Sequence, residues 1–195
     1  GKVRIIAGRW RGSRLDIPEV AGLRPTPDRV RETLFNWLQG HIAGLRCLDL
    51  YAGSGALGFE AASRGAAHVV MVERDHDAVA ALLASAHRLQ AANVDIIHAD
   101  ALTWLARPTL RFDVAFIDPP FAAGLHQRTL DLLSPWLAPG AQVYVEYGRA
   151  EPRPVLAGFT VWREGGTREV HYCLLRRMQT PPDADSPATL EIPPD

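Results

Sequence analysis

The 195-residue sequence predicts an α/β fold: an open, Rossmann-like, seven-stranded sheet, mostly parallel, with helices on both faces and a β-hairpin extension at its N-terminus. Three observations predict it. Short apolar runs alternate with helix-periodic segments from Cys47 to Tyr147. The first run passes directly into a Gly53-x-Gly55-x-x-Gly58 turn. An acidic residue falls at the carboxyl end, or just past it, of four consecutive predicted strands: Asp49, Glu73, Asp100 and Asp118. Such alternation implies right-handed crossovers, and ligands of open α/β sheets bind beyond the carboxyl ends of the strands.

Composition bounds the function. Apolar content of 47% and charged content of 22% are ordinary for a soluble globular chain, and the length suits one sizeable core. No apolar run reaches a membrane span, and the N-terminus carries no signal-peptide h-region, so a cytoplasmic, membrane-free protein is expected. Cys47 and Cys173 sit in apolar runs without a C-x-x-C and read as buried, reduced thiols. The seven histidines lack metal-ligand spacing, so no metal is expected. The net charge of −1 hides an asymmetry: through Arg31 there are eight basic residues against three acids, a balance of +5 on an otherwise acidic chain. A basic arm, nearly all arginine, suits phosphate contacts.

In chain order, residues 1–22 read as a basic hairpin. Runs 3–7 and 14–17 flank Gly8-Arg9-Trp10-Arg11-Gly12, where Arg4, Arg9, Arg11 and Arg14 would meet phosphates and Trp10 would stack on a base. A solvated hairpin with Trp10 tucked into the core satisfies the same pattern. Residues 23–178 form the main domain. Thr26 suits an N-cap and Pro27 a first helical position, ahead of a helix with Val30, Leu34, Trp37 and Leu38 on one face and Gly40 at its end. Strands follow at 47–49, 69–72, 94–97 and 112–117, with Asp75 capping the helix after the second and a short helix through Trp104 after the third. A helix at 125–133, a strand at 142–147 and an antiparallel hairpin from runs 160–164 and 170–175 close the sheet edge. Trp104, Trp136 and Trp162 fall among apolar residues and read as packing. Residues 179–195 are rich in Pro, Asp and Ser and read as a disordered tail.

The glycine turn accepts either a dinucleotide or another adenosine-bearing ligand. Glu73 lies about where a ribose-binding acid belongs, since two carboxylate oxygens suit two hydroxyl donors. Asp49 argues against a pyrophosphate and for a cation, so with Ala52, Gly53, Ser54 and Gly55 it favours S-adenosylmethionine. Asp100, with Ala101, faces the adenine amine, caps the next helix, or does both. Asp118-Pro119-Pro120-Phe121 is the more specific signal. Prolines lack N–H groups, so the segment presents acceptors; Asp118 and the Pro119 carbonyl match the two N–H donors of an exocyclic amine, and Phe121 offers a face to a flipped base. In isolation the same tetrapeptide makes a rigid turn after a strand.

The Asp49-x-x-Ala-Gly-Ser-Gly turn, Glu73, Asp100 and the Asp118–Phe121 corner resemble the class I S-adenosylmethionine-dependent methyltransferases that modify exocyclic amines of bases. The segments RIIAGRWRG from Arg4 and LRPTPDRVRETLFN from Leu23 are similar to the RsmD family of bacterial 16S ribosomal RNA guanine-N2 methyltransferases, in order from about Val3 to Leu175. The resemblance implies a seven-stranded class I sheet and a guanine in 16S rRNA, within an assembling small subunit, as substrate. It also implies that Thr26 closes over the cofactor, that Glu73-Arg74 and Asp100-Ala101 line its site, that Asp118 to Phe121 hold the base, and that the enzyme works as a monomer. Three other readings stay open on the residues alone: a DNA adenine-N6 methyltransferase, a nicotinamide-dependent oxidoreductase, and a non-catalytic RNA-binding assembly factor.

Overall fold

The computed structural model describes residues 1–20, 23, 25–120 and 124–179. Phe121 and Arg24, and the tail from residue 180, lie outside the described residues.

Seven strands form one sheet. Its parallel part comprises β3 (Arg46–Asp49), β4 (His68–Glu73), β5 (Val94–His98), β6 (Phe112–Ile117) and β7 (Leu137–Gly148). The antiparallel β8 (Phe159–Gly166) and β9 (Val170–Arg177) complete it, in the order β5-β4-β3-β6-β7-β9-β8. β9 inserts between β7 and β8, so the last hairpin both extends the sheet and supplies its edge. The order reverses between β3 and β6, and there the carboxyl ends of neighbouring strands diverge to leave a crevice. β7 starts five residues earlier than its apolar run suggests. Leu137 pairs with Phe112 as the chain leaves the 3-10 turn Ser134–Trp136, and a register shift separates that pair from Val114–Gln142.

α1 (Asp28–Trp37), α2 (Ala56–Ser63) and α3 (His76–Arg88) cover one face of the sheet, and α4 (Ala101–Leu105) and α5 (Leu125–Leu133) the other. Asp75 accepts from Ala78 N at 2.8 Å and Asp100 from Thr103 N at 3.0 Å, the N-caps that their sequence positions suggest. α2 is buried along its whole length. Gly58 permits this, because a Cβ there would sit 2.5 Å from Met71 Cε and 3.1 Å from Asp49 Oδ2.

The N-terminal hairpin, β1 (Lys2–Arg4) with β2 (Arg14–Asp16), is a separate two-stranded sheet fastened to the end of α2. Glu60 accepts from Ile6 N at 2.9 Å and Ala7 N at 3.1 Å. Ser63 Oγ accepts from Trp10 N and donates to Ala7 O, while Ser63 O accepts from Arg9 N. Gly8 has φ +86, and a Cβ there would lie 2.0 Å from Ser63 O, so only glycine lets the two backbones meet. Arg31 is fully buried between Glu60 (3.6 Å), Asp28 and the Arg4 carbonyl (3.0 Å). Counted with the basic arm in the sequence, it is an internal ion-pair member and offers no charge to solvent.

A buried charge that loses its partner is costly, roughly 3–5 kcal/mol. Glu60→Ala is therefore expected to lower unfolding free energy by about that amount in urea titrations, with faster proteolytic cleavage within residues 8–12, whereas Glu60→Gln, which keeps acceptor oxygen, loses less.

Candidate active site

The carboxyl ends of the parallel strands open into a cavity of about 310 Å³, at the small end of the range typical of small-molecule sites. Asp49 ends β3, Glu73 ends β4, Asp100 follows β5 by two residues, and Asp118 follows β6 directly. All four line this one cavity, with Thr26, Ala52, Gly53, Ser54, Arg74, Ala101, Pro119 and Pro120.

Backbone N–H groups orient the first two acids. Asp49 is 2% exposed and accepts from Gly58 N at 2.9 Å. Burial pushes its carboxyl up to about 7; the Gly58 N–H opposes this and the Glu73 charge adds to it. Glu73 Oε2 accepts from Gly53 N at 2.8 Å, and Oε1 from Arg74 N and Asp75 N at 3.0 and 2.9 Å. These bonds tie the acid to the glycine turn and leave acceptor capacity facing the cavity. Asp100 is an N-cap that also lines the cavity, so its two sequence readings coexist.

Asp118 Oδ2 accepts from the Thr26 hydroxyl at 3.1 Å. That bond corrects one sequence expectation. Thr26 caps no helix, because Pro27 takes the N-cap position of α1 and makes no side-chain cap bond. The 6%-exposed Thr26 instead fastens the Pro25–Pro27 segment to the Asp118 corner. Burial, then the Glu146 charge, holds the Asp118 carboxyl well above the usual carboxylate range; the Thr26 bond pulls the other way, and Asp49 and Glu151 add smaller upward pushes.

Other expectations shift too. Gly55 does not line the cavity; its φ is +81, and a Cβ there would meet Phe59 and Leu82, so it is a packing glycine. Trp10 is 8% exposed, edge-on to Phe59 at 6.5 Å, with the Arg9 guanidinium 4.6 Å from its ring. Of its two readings the packed one holds, since the short Gly8–Gly12 loop turns the indole onto α2, and its faces are not free to stack on a base. Arg4, Arg9, Arg11 and Arg14 are exposed on the hairpin, away from the cavity lining. Trp162, read as packing, is half-buried with the Arg163 and Arg176 guanidinium groups over its ring. Glu146, on β7, lines the cavity and escapes the sequence reading although it sits near a fifth strand end, inside the apolar run VYVEYG. An isolated acid in such a run is the signal that finds it.

Among the described residues no group of three or more His, Cys, Asp or Glu is placed to hold a metal ion, and no helix is long and apolar enough to cross a membrane. A glycine turn after the first parallel strand, acids along the strand ends and an antiparallel final pair are the arrangement of class I methyltransferases. The chain matches the family described as "Conserved hypothetical protein 95" over residues 3–176, and it belongs to that family. It is 43% identical over 189 residues to Ribosomal RNA small subunit methyltransferase D of Escherichia coli K12, covering 95% of this chain and 96% of that one. The solved structure described as "Putative methyltransferase yhhF from Escherichia coli" superposes with a TM-score of 0.83 at 40% identity, over 91% of this chain and 99% of that one. A Thermus thermophilus 16S rRNA N2 G1207 methyltransferase, solved with AdoMet and guanosine, shares the fold: TM-score 0.68, 24% identity, 92% of this chain and 50% of that one.

Because Asp49 binds its proton more tightly folded than unfolded, it stabilises the fold below pH ~4, and that contribution is lost as pH rises toward 7. In the unliganded protein the stability of Asp49→Asn relative to wild type should therefore climb between pH 4 and 7 and level off above. The full span is about 4 kcal/mol, read by denaturant titration at a series of pH values.

Proposed function

We propose that this chain is an S-adenosylmethionine-dependent methyltransferase that modifies the exocyclic N2 amine of a guanine in 16S rRNA of the assembling small subunit. The setting is the cytoplasm and the enzyme acts as a monomer. The observation that carries the reading is a single cavity whose wall holds both the Glu73-tied glycine turn and the Asp118-Pro119-Pro120 corner. The names of the relatives, ribosomal RNA small subunit methyltransferase D above all, support the substrate class.

The residues fit this cofactor. Asp49, buried and raised toward neutrality, is relieved by a cationic ligand, and a pyrophosphate would aggravate it. Glu73 offers acceptors to ribose hydroxyls, and Asp100 and Ala101, on the same cavity wall, are the residues that would meet the adenine. When bound, S-adenosylmethionine supplies an electrophilic methyl group on a sulfonium.

The remaining chemistry belongs to the chain. Asp118 and the Pro119 carbonyl accept the two N–H bonds of the target amine and aim its lone pair, a positioning effect that requires no covalent intermediate. Thr26 fixes which Asp118 oxygen faces inward. Once methylated, the amine must shed a proton; Asp118 in its ionised form, which a cationic methyl donor beside it favours, accepts that proton, and burial and Glu146 strengthen its hold on it. Phe121, from the same motif, supplies a stacking ring for the flipped base. Residues 1–22 serve as the RNA arm through Arg4, Arg9, Arg11 and Arg14, with Trp10 anchoring it, and residues 23–178 as the catalytic domain; the tail 179–195 has no assigned role.

Asp118→Ala should reduce methyl transfer by roughly 10²–10³-fold or more while changing S-adenosylmethionine affinity less than about threefold. Tritiated cofactor offered with small subunits, naked rRNA and duplex DNA reads both activity and substrate. Label appearing only in DNA, or equal turnover by the variant, would end this reading.

A further inference from the structure

The Asp-Pro-Pro corner grips an amine, and adenine and guanine both carry one. What distinguishes them is the ring position beside it: N1 of guanine carries a hydrogen, and N1 of adenine is an acceptor. A site that chooses guanine therefore needs an acceptor next to the amine-holding group.

Glu146 stands at that position. β6 and β7 are parallel, with Phe116 opposite Tyr144 and Ile117 opposite Val145. One residue further, Asp118 comes level with Glu146 on the adjacent strand, about 4.8 Å away in backbone spacing. Both line the same cavity, as does Pro119. Glu146 is 8% exposed, and its Oε2 accepts from the Tyr144 hydroxyl at 2.8 Å. Tyr144 lies two residues back on the same face of the strand and is itself fully buried. This bond orients the carboxylate by a donor that is not part of the substrate.

We propose that Glu146 is a specificity-determining residue that accepts the N1–H of the target guanine while Asp118 and the Pro119 carbonyl hold its N2 amine. The Watson–Crick edge of guanine presents three N–H hydrogens, and this wall presents acceptors for all three. Adenine would set its N1 lone pair against a carboxylate, so the site rejects it by repulsion as well as by a missing bond. The inference rests on the guanine-N2 reading above and deepens it.

The test uses small-subunit RNA with either guanine or 2-aminopurine at the mapped methylation position. 2-Aminopurine keeps the amine and lacks the N1 hydrogen. Wild type should prefer guanine by roughly 10²-fold or more in kcat/KM. Glu146→Gln should lose about 10²-fold on guanine while changing within about threefold on 2-aminopurine, because its amide can donate to the unprotonated N1. Activity on 2-aminopurine is also the folding control. An equal loss on both bases, or no loss on either, overturns the assignment, as does a wild type indifferent to the substitution. If Glu146→Gln loses cofactor affinity as well, Tyr144→Phe carries the test, with a three- to tenfold loss expected on guanine alone and an equal loss on both bases contradicting it. A wild type that methylates no guanine at all fails the underlying reading instead, so the two failures are distinguishable.

Discussion

Carboxylates crowded along one rim of a parallel sheet are the constraint on which this structure turns. Asp49, Glu73, Asp118 and Glu146 line one cavity, and three of them raise the proton affinity of a neighbour: Glu73 acts on Asp49, and Glu146 and Asp49 act on Asp118. Desolvation adds to the repulsion. Left alone, such an arrangement disfavours the ionised fold. It becomes favourable when cations or N–H donors enter, and a sulfonium donor beside a donor-rich base edge brings both. The fold supplies the placement, because every parallel strand delivers its last residue to the same edge.

α2 ties that rim to the rest of the molecule. Its N-terminal turn carries Gly58, whose N–H holds Asp49, and its last residues, Glu60 and Ser63, hold the arginine-bearing hairpin. One short, wholly buried helix thus fixes the geometry between the arginine-bearing hairpin and the cavity. The buried Arg31–Glu60 pair gives this junction its polar core, and the close approach of Ser63 explains why a glycine is needed at position 8.

Much of this was legible in the sequence, where local chemistry and tertiary structure agree. The Asp75 and Asp100 caps, β6 and α5 follow from periodicity and side-chain acceptors alone. The sequence misleads where a side chain has two suitors. The Thr26 hydroxyl suits an N-cap, but Asp118 lies 92 residues on and offers a carboxylate, so the cap is forgone. Trp10 suits a stacking finger until α2 presents Phe59 beneath it. Arg31 looks like one more arm charge because its partner, Glu60, is distant in the chain and only the fold brings them together. Glu146 is hidden for another reason: it stands alone among the apolar residues of its strand, and its meaning comes from following the Ile117–Val145 pair, where the adjacent strand leads into Asp118. The insertion of β9 beside β7 is likewise a property of sheet order, which hairpin periodicity does not encode.

The central claim is that this rim is built for a positively charged methyl donor. Titration calorimetry of S-adenosylmethionine near pH 6.5, in two buffers of different ionisation enthalpy, tests it most directly. Binding should release a substantial fraction of a proton as Asp49, raised to about 7, ionises against the incoming cation, and Asp49→Asn should abolish that release. NAD should not compete. Binding without proton release, or displacement of the cofactor by NAD, would contradict the account.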